Sequence, residues 1–158
     1  MATDLETRIR LLSDGPLLED AVTFAAEVAQ YAQRGERDLK TSQLHGLAQF
    51  GRGEWKELDQ FVRHQASRKW ETHKKDETHP TKKFYEALIK KLAGLHQQER
   101  LEAWLLIPAG LSKKQFQDQA DAIAIRLARE FLQHLVAEIL FNRSAPGGNH
   151  AARESDEV

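Results

Sequence analysis

Residues 112–139, SKKQFQDQADAIAIRLAREFLQHLVAEI, decide the fold class. Ala120, Ile123, Ala124, Leu127, Ala128, Phe131, Leu135, Val136 and Ile139 recur in steps of three and four, the spacing that gathers side chains on one face of an α-helix. Asp118, Asp121, Arg126, Gln133 and Glu138 fall mainly outside that stripe. Ser112 with Gln115 three residues later is a capping-box signature, in which each side chain accepts from the other residue's backbone N–H. An apolar stripe sustained over about five turns predicts the central packing helix of an all-helical domain.

Upstream, the same period continues with interruptions. Leu101, Trp104, Leu105 and Ile107 carry an apolar face to Pro108-Ala109-Gly110, and Phe84, Tyr85, Leu88, Ile89, Leu92 and Leu95 form the stripe of a helix that starts near Pro80. Proline fits there because the first helical turn has no partner for its N–H. Residues 71–83, ETHKKDETHPTKK, hold no apolar side chain except Pro80 and predict a loop or a frayed helix end. Before it lies Lys40 to Trp70, KTSQLHGLAQFGRGEWKELDQFVRHQASRKW, a helical hairpin. Leu44, Leu47 and Ala48 face one way on its first helix, with Thr41 or Ser42 as the cap; Trp55, Leu58, Phe61, Val62 and Ala66 do so on its second. Gly51-Arg52-Gly53 joins the two, and glycine predicts left-handed backbone in so short a turn.

At the N-terminus, Leu5, Ile9, Leu11 and Leu12 form a short amphipathic helix that Asp14-Gly15-Pro16 is expected to stop. Leu18, Ala21, Val22, Ala25, Val28, Ala29 and Ala32 then repeat at helical spacing, a narrow stripe suited to close packing. No alternating run is long enough for a strand. The expectation is an all-α, single-domain bundle of five or six helices over residues 1–142, with a disordered acidic tail over 143–158.

A chain of 158 residues is large enough to bury roughly 70% of its unfolded surface and to fold without covalent staples. With no cysteine it has neither disulfides nor thiolate metal sites; with no signal-peptide core and no membrane-length apolar run, the expected setting is the cytoplasm. Seven histidines form no H-x-x-x-H pair, so no metal is expected; no Gly-rich phosphate loop, nucleophile elbow or cysteine nucleophile appears, and no cofactor or catalysis is expected. The net charge is −1, yet from Arg63 to Lys91 nine cations stand against four carboxylates, a local balance of +5. A basic middle on an acidic remainder suits a protein that offers phosphates one face, provided those cations gather on a common exterior surface. Trp70, beside Arg68 and Lys69, is the one tryptophan outside core-like spacing and open to stacking on a base.

The order Lys-Thr-Ser-Gln-Leu at 40–44 and Phe-Val-Arg-His-Gln-x-Ser-Arg at 61–68 resembles the small helical subunit of type III CRISPR effector complexes. His45 and His64 stand where that family carries Arg and Tyr, and Ser67 where it carries Gly; an imidazole, mostly neutral near pH 7, is a poorer phosphate partner than a guanidinium. The resemblance implies a non-catalytic subunit of a ribonucleoprotein that touches guide RNA and target strand, stacks along the filament and meets other effector subunits. On that reading the expected backbone contacts are Lys40, Arg52, Arg63, Arg68, Lys69, Lys74 and Lys75, with polar contacts from Thr41, Ser42 and Gln43 unless capping consumes them. Such contacts read no sequence and would tolerate any guide. Two alternatives stay open: a helical adaptor that binds only protein, and a helix-turn-helix DNA-binding regulator using the 41–70 hairpin.

Overall fold

The computed structural model describes residues 2–32, 40–70 and 79–144, all of them helical or in short connections. In order these are α1 (Ala2–Leu12), a π-helical turn (Ser13–Leu17), α2 (Leu18–Ala32), α3 (Thr41–Phe50), α4 (Trp55–Ser67), α5 (Pro80–Gly94), α6 (Gln98–Ala103) and α7 (Lys113–Ser144). Because α1 and α2 are continuous through the π turn, they count as one rod, and the described residues form a bundle of six helices. Of the tail expected at 143–158, residues 145–158 lie outside the described residues while Arg143 and Ser144 end α7; of the loop or frayed end expected at 71–83, residues 71–78 lie outside them while Pro80 to Lys83 open α5.

The central helix is α7, which packs against α2, the π turn, α3 and α4. Ala120, Ala124, Leu127, Ala128, Leu132 and Leu135 are fully buried along it, and Ile123, Ile125, Phe131, Val136 and Ile139 nearly so. Burial on so wide an arc is what a helix surrounded by others requires. The second layer is the antiparallel pair α4 and α5. Trp55 stacks on His96 at 4.9 Å, Phe61 meets Tyr85 edge-on at 6.2 Å, and Trp70 stacks on His79 at 5.4 Å, so numbers rise on one helix as they fall on the other. Phe84 joins this pair to α2 by stacking on Phe24 at 5.6 Å.

Several sequence expectations change, among them Leu11, read as part of an apolar face but 67% exposed. Asp14-Gly15-Pro16 does not stop the first helix: Leu12 and Leu18, on either side, both keep right-handed helical backbone. Pro16 has no N–H to give and its ring crowds the carbonyl behind it, and the wider π turn relieves that without ending the helix. Buried Ser13 anchors the turn, its hydroxyl 2.9 Å from His134 Nε2 on α7. Beyond the turn the buried face is Leu17, Ala21, Phe24, Ala25 and Val28, while Val22, expected inside, is 42% exposed. At the α3–α4 turn Gly51 is right-handed (φ −63°). Its small size is needed for a different reason: a methyl there would stand 3.1 Å from Leu132 Cδ1 and 3.2 Å from the Ala48 carbonyl oxygen, so glycine lets the turn press against α7.

Left-handed backbone occurs instead after α6. Leu106 N–H donates to the Leu101 carbonyl at 2.9 Å and Leu105 N–H to that of Glu102 at 3.0 Å, a Schellman ending with buried Leu101 and Leu106 as its apolar pair. The residue that must take positive φ is Leu105, at 60°, with its side chain 62% exposed. Leu105→Gly is therefore expected to raise stability by about 0.5–1 kcal/mol, since it removes a Cβ clash and little buried surface. A urea midpoint equal to or below that of the parent would contradict this. The capping box at Ser112 forms as the sequence predicts: Gln115 N–H donates to Ser112 Oγ at 3.2 Å, and Ser112 N–H to Gln115 Oε1 at 2.9 Å.

Candidate nucleic-acid interface

The residues expected to meet phosphates divide by what already holds them. Lys40, not Thr41 or Ser42, is the N-cap of α3, with extended backbone (φ −78°, ψ 150°). Its N–H donates to Gln43 Oε1 at 3.0 Å, which spends the acceptor oxygen of that side chain on capping. Thr41 and Ser42 occupy the first helical turn and are exposed. Arg52 is exposed in the turn between α3 and α4. Lys74 and Lys75 lie outside the described residues.

Arg63 is spoken for. One turn earlier on α4, Asp59 accepts from Arg63 Nε with both oxygens, at 3.0 and 3.1 Å. This i, i+4 pair neutralises the cation on its own helix face.

At the C-terminal end of α4 the arrangement differs. Trp70 donates its indole N–H to the Gln65 carbonyl at 2.9 Å, which fastens the ring against the helix end. Arg68 lies over that ring at 4.8 Å and donates to Gln65 Oε1 at 3.2 Å. His79 stacks on the indole, and its Nδ1 accepts from Thr81 N–H at 3.0 Å to cap α5. Lys69 is exposed alongside. A ring system and an amide hold the Arg68 guanidinium without cancelling its charge. Trp70 is thus engaged with His79 and Arg68 and acts as a seat for the cation instead of an open stacking platform.

Beneath this tip sits Tyr85, buried against Phe61 and Phe84. Burial pushes its hydroxyl pKa up to about 12, and the Arg68 charge works in the lowering direction. Arg68 therefore acts on both the surface and the layer below.

Among the described residues the cations are spread along the hairpin: Arg52 precedes α4 and Arg68 follows it, about 20 Å apart along a helix of 13 residues. Lys90 and Lys91, beyond the middle of α5, instead share a cleft with Arg100 from α6, whose place there nothing in the sequence spacing announced. Helix ends, where connections and long side chains collect, have separated charges that are close in sequence. A further cleft of about 420 Å³ is lined by Trp55, Lys56, Asp59, Gln60, His96 and Asp121. There His96 Nε2 is 2.6 Å from Asp121 Oδ1, tying the end of α5 to α7, and no hydroxyl or thiol lines that cleft. Among the described residues, no three His, Asp or Glu side chains gather as metal ligands, and no helix is long and apolar enough to cross a membrane. Compared with protein families, curated proteins and solved structures, the chain finds no match in any of the three.

Proposed function

We propose that the chain is a non-catalytic, RNA-contacting small subunit of a type III CRISPR ribonucleoprotein. The observation that carries the RNA contact is the α4 tip, where Arg68 is held by Trp70 and Gln65, with Lys69 exposed next to it. A positioned guanidinium beside an exposed ammonium, neither in an ion pair among the described residues, suits contact with successive phosphates at little loss of side-chain freedom. Lys40, Thr41 and Ser42 at the start of α3, on the first of the motifs that carry the family resemblance, and Arg52 after its end supply further contacts. Exposed Leu11 and Leu105 offer apolar surface to neighbouring subunits, as an assembly component needs.

Since the net charge is −1, binding of RNA by the isolated chain is expected to be weak and steeply salt-dependent. In a salt titration with single-stranded RNA, Arg68→Gln with Lys69→Gln should lower the slope of log affinity against log salt by about 1.4, two phosphate contacts at about 0.7 each. Arg63→Gln should move it far less, because Asp59 already holds that cation. A slope unchanged by the double substitution would remove the α4 tip from RNA binding. The assembly itself is tested by purifying the chain from its native host: short RNAs of uniform length and several protein subunits should accompany it. Protein partners without RNA would replace this proposal with that of an adaptor.

A further inference from the structure

Where the ends of α5 and α6 approach α2 and α7 there is a cleft of about 280 Å³, lined by Asp20, Lys90, Lys91, Gln97, Arg100 and Phe131, with Gly94 and Leu95 completing it. Three cations face one carboxylate. None of the three forms an ion pair among the described residues, in contrast to Arg63. Two of them are positioned by aromatic rings instead. The Arg100 guanidinium lies 5.4 Å from the centroid of Trp104, and the Lys91 ammonium 5.8 Å from that of Phe24. Gly94 contributes by what it lacks, since a methyl there would stand 3.0 Å from Arg100 Nη1. Aromatic faces orient a cation but leave its charge available, and like charges drawn into one concavity repel until an anion enters.

We propose that this cleft binds a phosphate monoester as its dianion. Arg100 offers a planar fork of N–H donors to two phosphate oxygens, Lys90 and Lys91 offer ammonium groups, and the Gln97 amide can donate to a third oxygen. Asp20 reduces the excess charge to +2, which matches a phosphate monoester near neutral pH. Its volume is at the lower limit for small-molecule sites, room for a phosphate and a small organic group and not for a length of strand. Free phosphate, a mononucleotide and the 5′-phosphorylated end of an RNA all present this chemistry.

The test is calorimetric titration of the full chain at pH 7.5 and low salt with inorganic phosphate, with adenosine monophosphate, and with a short RNA bearing either a 5′-phosphate or a 5′-hydroxyl. Saturable binding of at least one phosphate monoester is expected. Arg100→Gln should weaken it by about tenfold or more, as loss of a charge-assisted contact does. Lys90→Gln should weaken it in the same direction, and Asp20→Asn should tighten it by removing the opposing charge. Arg100 and Lys90 are exposed, so their variants are expected to keep the parent's circular dichroism. A 5′-phosphate preference that disappears in Arg100→Gln assigns the site to RNA ends; binding of the mononucleotide with no difference between the two RNAs assigns it to free ligand. No saturable binding up to about 10 mM, or equal affinity in parent and Arg100→Gln, would overturn the proposal. RNA binding at the α4 tip is scored separately by the Arg68 and Lys69 salt slope, so either site can fail without the other.

Discussion

Phe84→Ala is expected to cost about 4 kcal/mol of folding stability, the upper part of the range for truncating a buried aromatic ring. Phe84 is fully buried and makes two ring contacts at once: face to face with Phe24 of α2, at 5.6 Å with planes 5° apart, and edge to face with its neighbour Tyr85 at 5.2 Å. Truncation removes the wedge between the α4–α5 pair and the α2–α7 layer and leaves a cavity in a close-packed core that closes only in part. Natural domains hold only about 5–15 kcal/mol in total, so the variant should be close to unfolding at 37 °C. Urea denaturation reads this as a large drop in midpoint with the slope preserved. A loss below about 1 kcal/mol would mean that the layers are not joined through this ring. Since Phe24 also lies under the Lys91 ammonium, the same substitution should loosen the phosphate cleft.

Alkaline pH gives the second large effect, through Tyr85. Its pKa is about 12 when folded, against 10.0 for a tyrosine fully surrounded by water. Below pH 10 the hydroxyl is protonated in both states and its contribution is fully present. Between 10 and 12 the unfolded chain releases its proton first, so stability falls with rising pH, by about 1.4 kcal/mol for each unit of difference and by nearly 3 kcal/mol in total. Tyr85→Phe should abolish this component while leaving neutral-pH stability almost unchanged, because no hydrogen bond holds the hydroxyl among the described residues. The difference between the parent and Tyr85→Phe denaturation curves, measured from pH 8 to 12, isolates it from the titration of lysines. Identical pH profiles would show that the hydroxyl is not in a dry environment. Arg68→Gln should lift the hydroxyl further, which makes alkaline unfolding a readout of how firmly Trp70 seats that guanidinium.

Much of the bundle is legible in the sequence because its signals are local and periodic. The α7 stripe, the Ser112–Gln115 box and Pro80 at the start of α5 each depend on residues within four positions of one another. Phase is lost where something non-local intervenes. Phe24 has helical spacing with Ala21, Ala25 and Val28, but two overlapping stripes fit α2 and only packing against α7 and α5 selects the one that contains it; Leu105 has the spacing of a core residue although its left-handed backbone turns it to solvent. Gly51 marks a turn, as its residue type suggests, but the cause is crowding and not backbone handedness, since its neighbour Leu132 is 81 residues away. Among the candidate contacts, Asp59 stands four residues before Arg63, and that pairing is readable from spacing alone. The convergence of Arg100 with Lys90 and Lys91, and of Trp70 with His79, depends on how helices end and return, which side-chain spacing does not encode.

The wide turn at Ser13–Leu17 accommodates one residue beyond what a regular helical turn takes, and each residue advances a helix by about 100°. That spare residue sets the azimuth of α1 about its own axis. It is what directs Ile9 inward, Glu6 toward Arg126, which donates to it at 2.6 Å, and Arg8 toward the Leu105 carbonyl, also at 2.6 Å. Shortening the rod by one position within this turn would regularise its hydrogen bonding and swing all three side chains off their partners together. The apparent flaw at Gly15-Pro16 thus works as a keyway that locks the first helix in rotation, and its length matters more than its composition.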